Sequence, residues 1–262
     1  MKSLCYPDHG AVAVFGGTGG AGSAVCKAFA EAGCNVAFTY LSNADKARQM
    51  EQELGGHSKT RSYHLDLSDC ARTQSVVAAI KADFGDIHTV VYASGPKWDV
   101  LYIAEVLPTE FRRVVEAELL GFFNIVHAVM PVLRKNAGCI VACTTFGNAR
   151  VLPTDGQSAV PKAGIDSLVR QIAWEEGEHG VRANVVGLGW MNFGLGEING
   201  GERSMLKGES GIKAAELMGS RVPLGKRPGT GQELAAAVLF MASKEASYIT
   251  GQSLLVDGGA SL

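Results

Sequence analysis

An apolar run, Ala11–Phe15, leads into Gly16-Gly17-Thr18-Gly19-Gly20-Ala21-Gly22, and a helical stretch follows at once with Ala24, Val25, Ala28 and Phe29 on one side. Glycines in that place permit positive φ and let backbone come within contact distance of a pyrophosphate. The helix start behind them offers unpaired N–H groups and the positive end of a dipole. A glycine-rich turn is also a common packing device. A strand before it, a helix after it and two more strand–helix units behind it point instead to a dinucleotide site. Its candidate contacts are Gly16, Thr18, Gly19, Gly20 and Gly22.

An NAD-type site carries a carboxylate about 20 residues on, at the end of the second strand. Here that strand ends Thr39-Tyr40-Leu41-Ser42-Asn43, with no acid before Asp45 and no arginine at the turn or directly after the strand. Without a carboxylate to repel it, a 2′-phosphate is tolerated, so NADP(H) is favoured over NAD(H), with Thr39, Tyr40 and Ser42 as neutral pocket residues. Ser42-Asn43 serves equally as the cap of the next helix. Asp66, in Leu65-Asp66-Leu67-Ser68, either bonds an adenine edge, with Leu67 beside it, or caps the helix from Cys70.

The elements that must position these residues alternate. Strands are expected at Ala11–Phe15, Asn35–Tyr40, Arg61–Leu65, His88–Ala93, Cys139–Thr144, Val181–Val186 and Ser253–Val256. Most are unbroken apolar runs, as in strands buried on both faces of a parallel sheet. Helical patterns lie between them at Ala21–Ala32, Ala44–Leu54, Cys70–Phe84, Pro108–Lys135, Ser158–His179 and Gln232–Ser243. This order predicts an α/β fold: a doubly wound parallel sheet, Rossmann-type and three-layered, as one domain over residues 1–262. The glycine-rich, weakly periodic Trp190–Arg221 is placed to cover the ligand crevice, and its Met191, Phe193 and Leu195 suggest an apolar ligand.

Composition narrows the classes. With 24 basic and 26 acidic residues the net charge is −2, which gives no general affinity for nucleic acid or anionic membrane. No stretch approaches ~18 consecutive apolar residues, and Ala11–Phe15 is too short for a signal-peptide core, so a cytoplasmic protein is expected. The six cysteines form no C-x-x-C pair and no zinc spacing, so no metal is expected and the thiols are read as reduced, with Cys143 as packing.

With these motifs in place, the sequence resembles the classical short-chain dehydrogenase/reductase superfamily over almost its whole length. Gly16, Gly20 and Gly22 match the glycines of the family's T-G-x-x-x-G-x-G turn, with Phe15 for threonine. Asp66 matches its adenine-side aspartate, Lys162-Ala163-Gly164 its K-A-G, Gly180–Asn184 its G-I-R-V-N strand, and Pro223-Leu224-Gly225 with Gly251–Gly259 its C-terminal signature. The resemblance implies an NAD(P) cofactor, hydride transfer to or from a carbonyl, alcohol or enoyl group, and a tetramer or dimer built on the Pro108–Lys135 and Ser158–His179 helices. It also implies further cofactor contacts at Tyr92-Ala93-Ser94-Gly95, where the family has N-N-A-G, and at Gly189, where it has P-G.

The catalytic set departs from the family. Lys162 matches the ribose-binding lysine and Thr145 stands for the carbonyl-polarising serine. The position of the proton-transferring tyrosine holds Ser158, and Glu118 takes the asparagine's place when Gly121 is registered on the family's glycine. No tyrosine occurs between Ile103 and Ser247. A serine hydroxyl lies far above a phenol in pKa, so alone it is a poor general acid. Three functions remain open on these residues. One is an oxidoreductase whose proton donor is Glu118, Tyr92, Tyr102 or an ordered water. The second is a non-reductive dehydratase, isomerase or cyclase, and the third a catalytically impaired partner subunit of an active homologue.

Overall fold

The computed structural model describes residues 4–197 and 208–262. Seven parallel strands form one sheet in the order β3-β2-β1-β4-β5-β6-β7. They are β1 (Ala11–Phe15), β2 (Val36–Tyr40), β3 (Thr60–His64), β4 (Ile87–Tyr92), β5 (Cys139–Thr145), β6 (Arg182–Leu188) and β7 (Ser253–Val256). Every expected strand is present within a residue or two. The strand order reverses direction between β1 and β4, and the crevice at that switch point is where open sheets of this kind bind ligands.

Two cores sandwich the sheet. Along β1, Ala11, Ala13 and Phe15 belong to one core and Val12 and Val14 to the other, the two-residue alternation of a strand covered on both faces. The first face is covered by α3 (Cys70–Phe84), α5 (Gly121–Asn136) and α6 (Gly156–Glu175), through Ile80, Phe122, Ile125, Ile165 and Val169. The opposite face is covered by α1 (Gly20–Glu31), α2 (Ala44–Leu54) and α8 (Gly231–Ala242), through Val25, Phe29, Met50, Leu234 and Val238. The edge strand β3 is only partly buried, and its Tyr63 hydroxyl donates to Asp83 at 2.6 Å.

Three expectations change. The long central helix is not uniform: α4 (Pro108–Val115) passes through a widened π turn, Glu116–Leu120, into α5. The run Pro108–Asn136 is also long and apolar enough, by length and composition, to cross a membrane, contrary to the expectation of no such stretch; here Phe122, Ile125, Val129 and Leu133 are wholly buried in the core. Within the glycine-rich segment a helix, α7 (Gly208–Ser220), forms where weak periodicity suggested none. Residues 198–207 of that segment lie outside the described ones.

Candidate active site

The turn after β1 is built by close approach. Gly16 has φ +90°, and a Cβ there would stand 2.7 Å from the backbone of Ser94; a Cβ on Gly22 would run into the Gly16 carbonyl oxygen. Ala93, Ser94 and Gly95 therefore lie directly beside the turn, with Ala93 N–H donating to Phe15 O at 2.9 Å. The helix behind the turn is left open. Thr230, Asn43 and Asp69 cap α8, α2 and α3 with side-chain oxygens, whereas Gly19 at the start of α1 supplies no cap and no acid occupies the first turn. Uncapped N–H groups at a positive dipole end are what a pyrophosphate needs, so the cradle fits a dinucleotide.

Thr39 is 3% exposed, and its hydroxyl oxygen accepts from Gly16 N–H at 3.0 Å. It frames the turn from behind, as a buried neutral residue of the pocket. Ser42 is exposed and Tyr40 packs edge-on against His64. Asn43, not Ser42, caps α2, by accepting from Lys46 N–H at 3.1 Å. Asp66 does not cap α3; that falls to Asp69, while Asp66 is exposed and takes the Ser68 N–H and hydroxyl at 2.9 and 2.7 Å. Leu67 is buried against the α5 start, where a Cβ on Gly121 would touch it at 2.9 Å. Gly189 packs directly on Asp257, with its N–H on Val256 O at 3.0 Å.

A cation missed in the sequence sits at this turn. Lys46, in the first turn of α2, reaches back to Thr18 O at 2.8 Å. A search for arginine directly after the strand passes over it; the signal was a lysine in the first turn of the helix that follows the strand. Asp45, the nearest acid, is paired with Arg48 instead.

At the catalytic end, Lys162 Nζ lies 2.6 Å from Glu118 Oε1 and 3.4 Å from Ser158 Oγ, one turn back on α6. Glu118 is wholly buried and stands on the π turn, a distortion common at functional sites. The Tyr92 hydroxyl donates to its other oxygen at 3.3 Å. Glu118 is thus ion-paired to Lys162 with its other oxygen on Tyr92, and burial with the adjacent carboxylate pushes the Tyr92 phenol far above its ordinary value. Tyr102 is 63% exposed at the start of a short 3₁₀ turn, where its N–H meets Glu105. Thr145 Oγ1 accepts from Gly147 N–H at 3.0 Å, which leaves its hydroxyl proton for a ligand oxygen.

The segment after β6 folds back on the cradle: Phe193 packs so closely on Gly20 that a Cβ there would meet its ring at 2.5 Å. Met191 is core, 4% exposed, rather than ligand-facing. Cys143 is buried and its thiol is pushed up to about 12, in keeping with packing. None of the six cysteines is joined in a disulfide, and no cluster of metal-ligating side chains occurs among the described residues.

The family described as enoyl-(acyl carrier protein) reductase matches residues 16–261. The chain is 33% identical to the 3-oxoacyl-(acyl-carrier-protein) reductase FabG of Chlamydia muridarum, over 99% of each chain. The chain belongs to the short-chain dehydrogenase/reductase superfamily. It is also 29% identical to the peroxisomal 2,4-dienoyl-CoA reductase of Saccharomyces cerevisiae, over 92% of this chain and 82% of that one. A levodione reductase structure superimposes with a TM-score of 0.88 at 26% identity, over 96% of this chain and 97% of that one. These relatives are NAD(P)-dependent oxidoreductases acting on small molecules, and the seven-stranded sheet is the superfamily's fold. The uncapped α1 start, the Gly16–Gly22 turn and the Ala93–Gly95 segment lie together beside the β1 end, and Ser158 and Lys162 stand together on α6.

A second carboxyl near Ser158 and Lys162 was missed in the sequence. Asp155 opens α6 three residues before Ser158, and its Oδ2 would lie 2.7 Å from a Cβ on Gly147. Burial pushes it up to about 6, against the pull of Lys162 and of Ser158. Its signal was an acid one helical turn ahead of the serine.

Proposed function

We propose that this chain is an NADP(H)-dependent oxidoreductase that moves a hydride to or from a carbonyl, alcohol or enoyl carbon, with Ser158 standing where the superfamily carries its proton-transferring tyrosine. The observation that carries the reading is Lys162: an ammonium only 12% exposed, held by the wholly buried Glu118. Such a charge is tolerated in an interior only with a dedicated partner. Two of its three protons go to Glu118 and Ser158, which leaves one for a ribose hydroxyl.

The bound nicotinamide supplies or accepts the hydride. The chain's own residues do the rest. The α1 N–H groups and the Gly16–Gly22 turn hold the pyrophosphate, Asp66 and Leu67 flank the adenine, Lys162 fixes the ribose, and Thr145 donates to the substrate oxygen. The similarity to 3-oxoacyl-(acyl-carrier-protein) and dienoyl-CoA reductases favours acyl thioesters as the first substrates to screen. A cytoplasmic location and self-association through the α5 and α6 faces complete the reading.

Lys46 supports the 2′-phosphate preference: it is the cation at the turn, and the strand end carries no acid against it. Calorimetric titration tests this. The wild type is expected to bind NADPH more tightly than NADH. Lys46→Ala is expected to weaken NADPH by about 10- to 100-fold, the worth of one charge-assisted contact, and to leave NADH unchanged. Equal affinity for the two nucleotides would overturn the preference; no binding of either would overturn the function.

A further inference from the structure

Asp155 opens α6 but does not do what an acid usually does at a helix start. Its carboxylate caps no backbone N–H, and the Ser158 N–H goes instead to the Asp155 carbonyl oxygen at 3.0 Å. The residue before it, Thr154, is held at φ +66°, a left-handed conformation that β-branched residues adopt only where their surroundings impose it. The carboxyl enters the reacting end of the site. The position of a Cβ on Gly147 is 2.7 Å from Asp155 Oδ2 and 3.2 Å from Thr145 Oγ1, so both oxygens pack against this glycine, on the same side of the reacting end. Ser158 stands three residues on from Asp155, its N–H bonded to the Asp155 carbonyl and its side chain near enough to favour the charged carboxyl, and Lys162 Nζ is 3.4 Å from Ser158 Oγ.

We propose that Asp155 is the proton source of the reaction, acting through the hydroxyl of Ser158; this rests on the oxidoreductase reading above. In the reducing direction the substrate carbonyl oxygen, held by the Thr145 hydroxyl, takes the Ser158 proton as the carbonyl π pair moves onto it. Ser158 Oγ takes the proton of neutral Asp155, and the carboxylate left behind is reprotonated from water. The carbonyl carbon takes a hydride, with its electron pair, from the reduced dinucleotide, so an alcohol and an oxidised dinucleotide result. The relay answers the weakness of serine as an acid: the hydroxyl passes a proton on and never has to be the reservoir. The groups facing Asp155 are Lys162 and Ser158, which favour its charged form, and Glu118, which opposes it. Burial outweighs the first two and brings the carboxyl up to about 6, close to where a general acid operates best.

The test combines kcat for reduction against pH, NADPH binding, and carbon-13 NMR titration of aspartate carboxyls in the cofactor-free protein. For the wild type, kcat is expected to fall as the pH rises through about 6, because the donor must be protonated. Asp155→Asn is expected to lower kcat by about 100-fold or more and to abolish that limb, with NADPH affinity kept. Ser158→Ala is expected to show a comparable loss, and Asp155→Glu a partial return. One carboxyl resonance titrating near 6 is expected in the wild type and absent from Asp155→Asn. An Asp155→Asn or Ser158→Ala enzyme with wild-type kcat and an unchanged limb, or no aspartate titrating near 6, overturns the proposal alone. A wild type that binds NADPH but reduces no carbonyl or enoyl thioester overturns the oxidoreductase reading and the proposal with it.

Discussion

Glu118 has both carboxylate oxygens committed, one to Lys162 and one to Tyr92, and no exposure to solvent. Removing one member of a buried ion pair strands the other, so Glu118→Ala is expected to destabilise the fold by about 3–5 kcal/mol. Lys162→Met with Glu118→Gln in one chain is expected to recover much of that loss in a denaturant titration, since neither charge is then left alone. A Glu118→Ala loss below about 1 kcal/mol would show that the pair is not buried as described. The sequence placed Glu118 and Lys162 by register on a family, but offered Glu118 as one of several proton donors. Its pairing with Lys162 depends on a distance across two helices, which no local pattern records. Asp155 and Lys46 escaped for a related reason. Neither lies in one of the motifs that carry the family resemblance, and each stands in or beside the first turn of a helix.

The strands were legible because burial on both faces leaves unbroken apolar runs. The partly exposed β3, TRSYH, was placed by its position between helices rather than by its own pattern. The glycine-rich turn was legible down to its residues, since only glycine meets its geometry. Gly22 faces the Gly16 carbonyl oxygen, which is backbone and cannot swing aside as a side chain would. Gly22→Ala is therefore expected to abolish NADPH binding measured by calorimetry, whereas Gly33→Ala, where a Cβ meets nothing within 4 Å, is expected to keep it despite its positive φ. Unaltered affinity in Gly22→Ala would contradict the tight turn. The π turn at Glu116–Leu120 was not legible. A single extra residue in a helical turn leaves the apolar spacing of Pro108–Lys135 nearly intact, yet it is the element that carries Glu118.

Over the whole molecule, one outer face stands apart. Leu120 and Phe123 on the central helix are 49% and 50% exposed, and Trp174 on α6 is 86% exposed. Phe123 lines a groove between α5 and α6 with Val126, Met130 and Leu168, the Arg134–Glu176 pair at its end, and borders an adjoining hollow with Leu120 and Leu168. Large apolar side chains gathered this way mark an association surface, and a twofold-symmetric contact would cover them on both copies. Phe123→Asp is expected to shift the wild-type oligomer to a smaller species in analytical ultracentrifugation; an unchanged sedimentation profile would place the interface elsewhere. Hydride transfer from a bound nicotinamide is open to a direct isotope-transfer experiment. NADPH deuterated at nicotinamide C4 is incubated with the purified chain and a panel of oxoacyl and enoyl thioesters, and the products are weighed by mass spectrometry. A product carrying one deuterium, formed as NADPH absorbance falls, is expected. NADPH bound by the chain, with no deuterium in any product across the panel, would contradict hydride transfer.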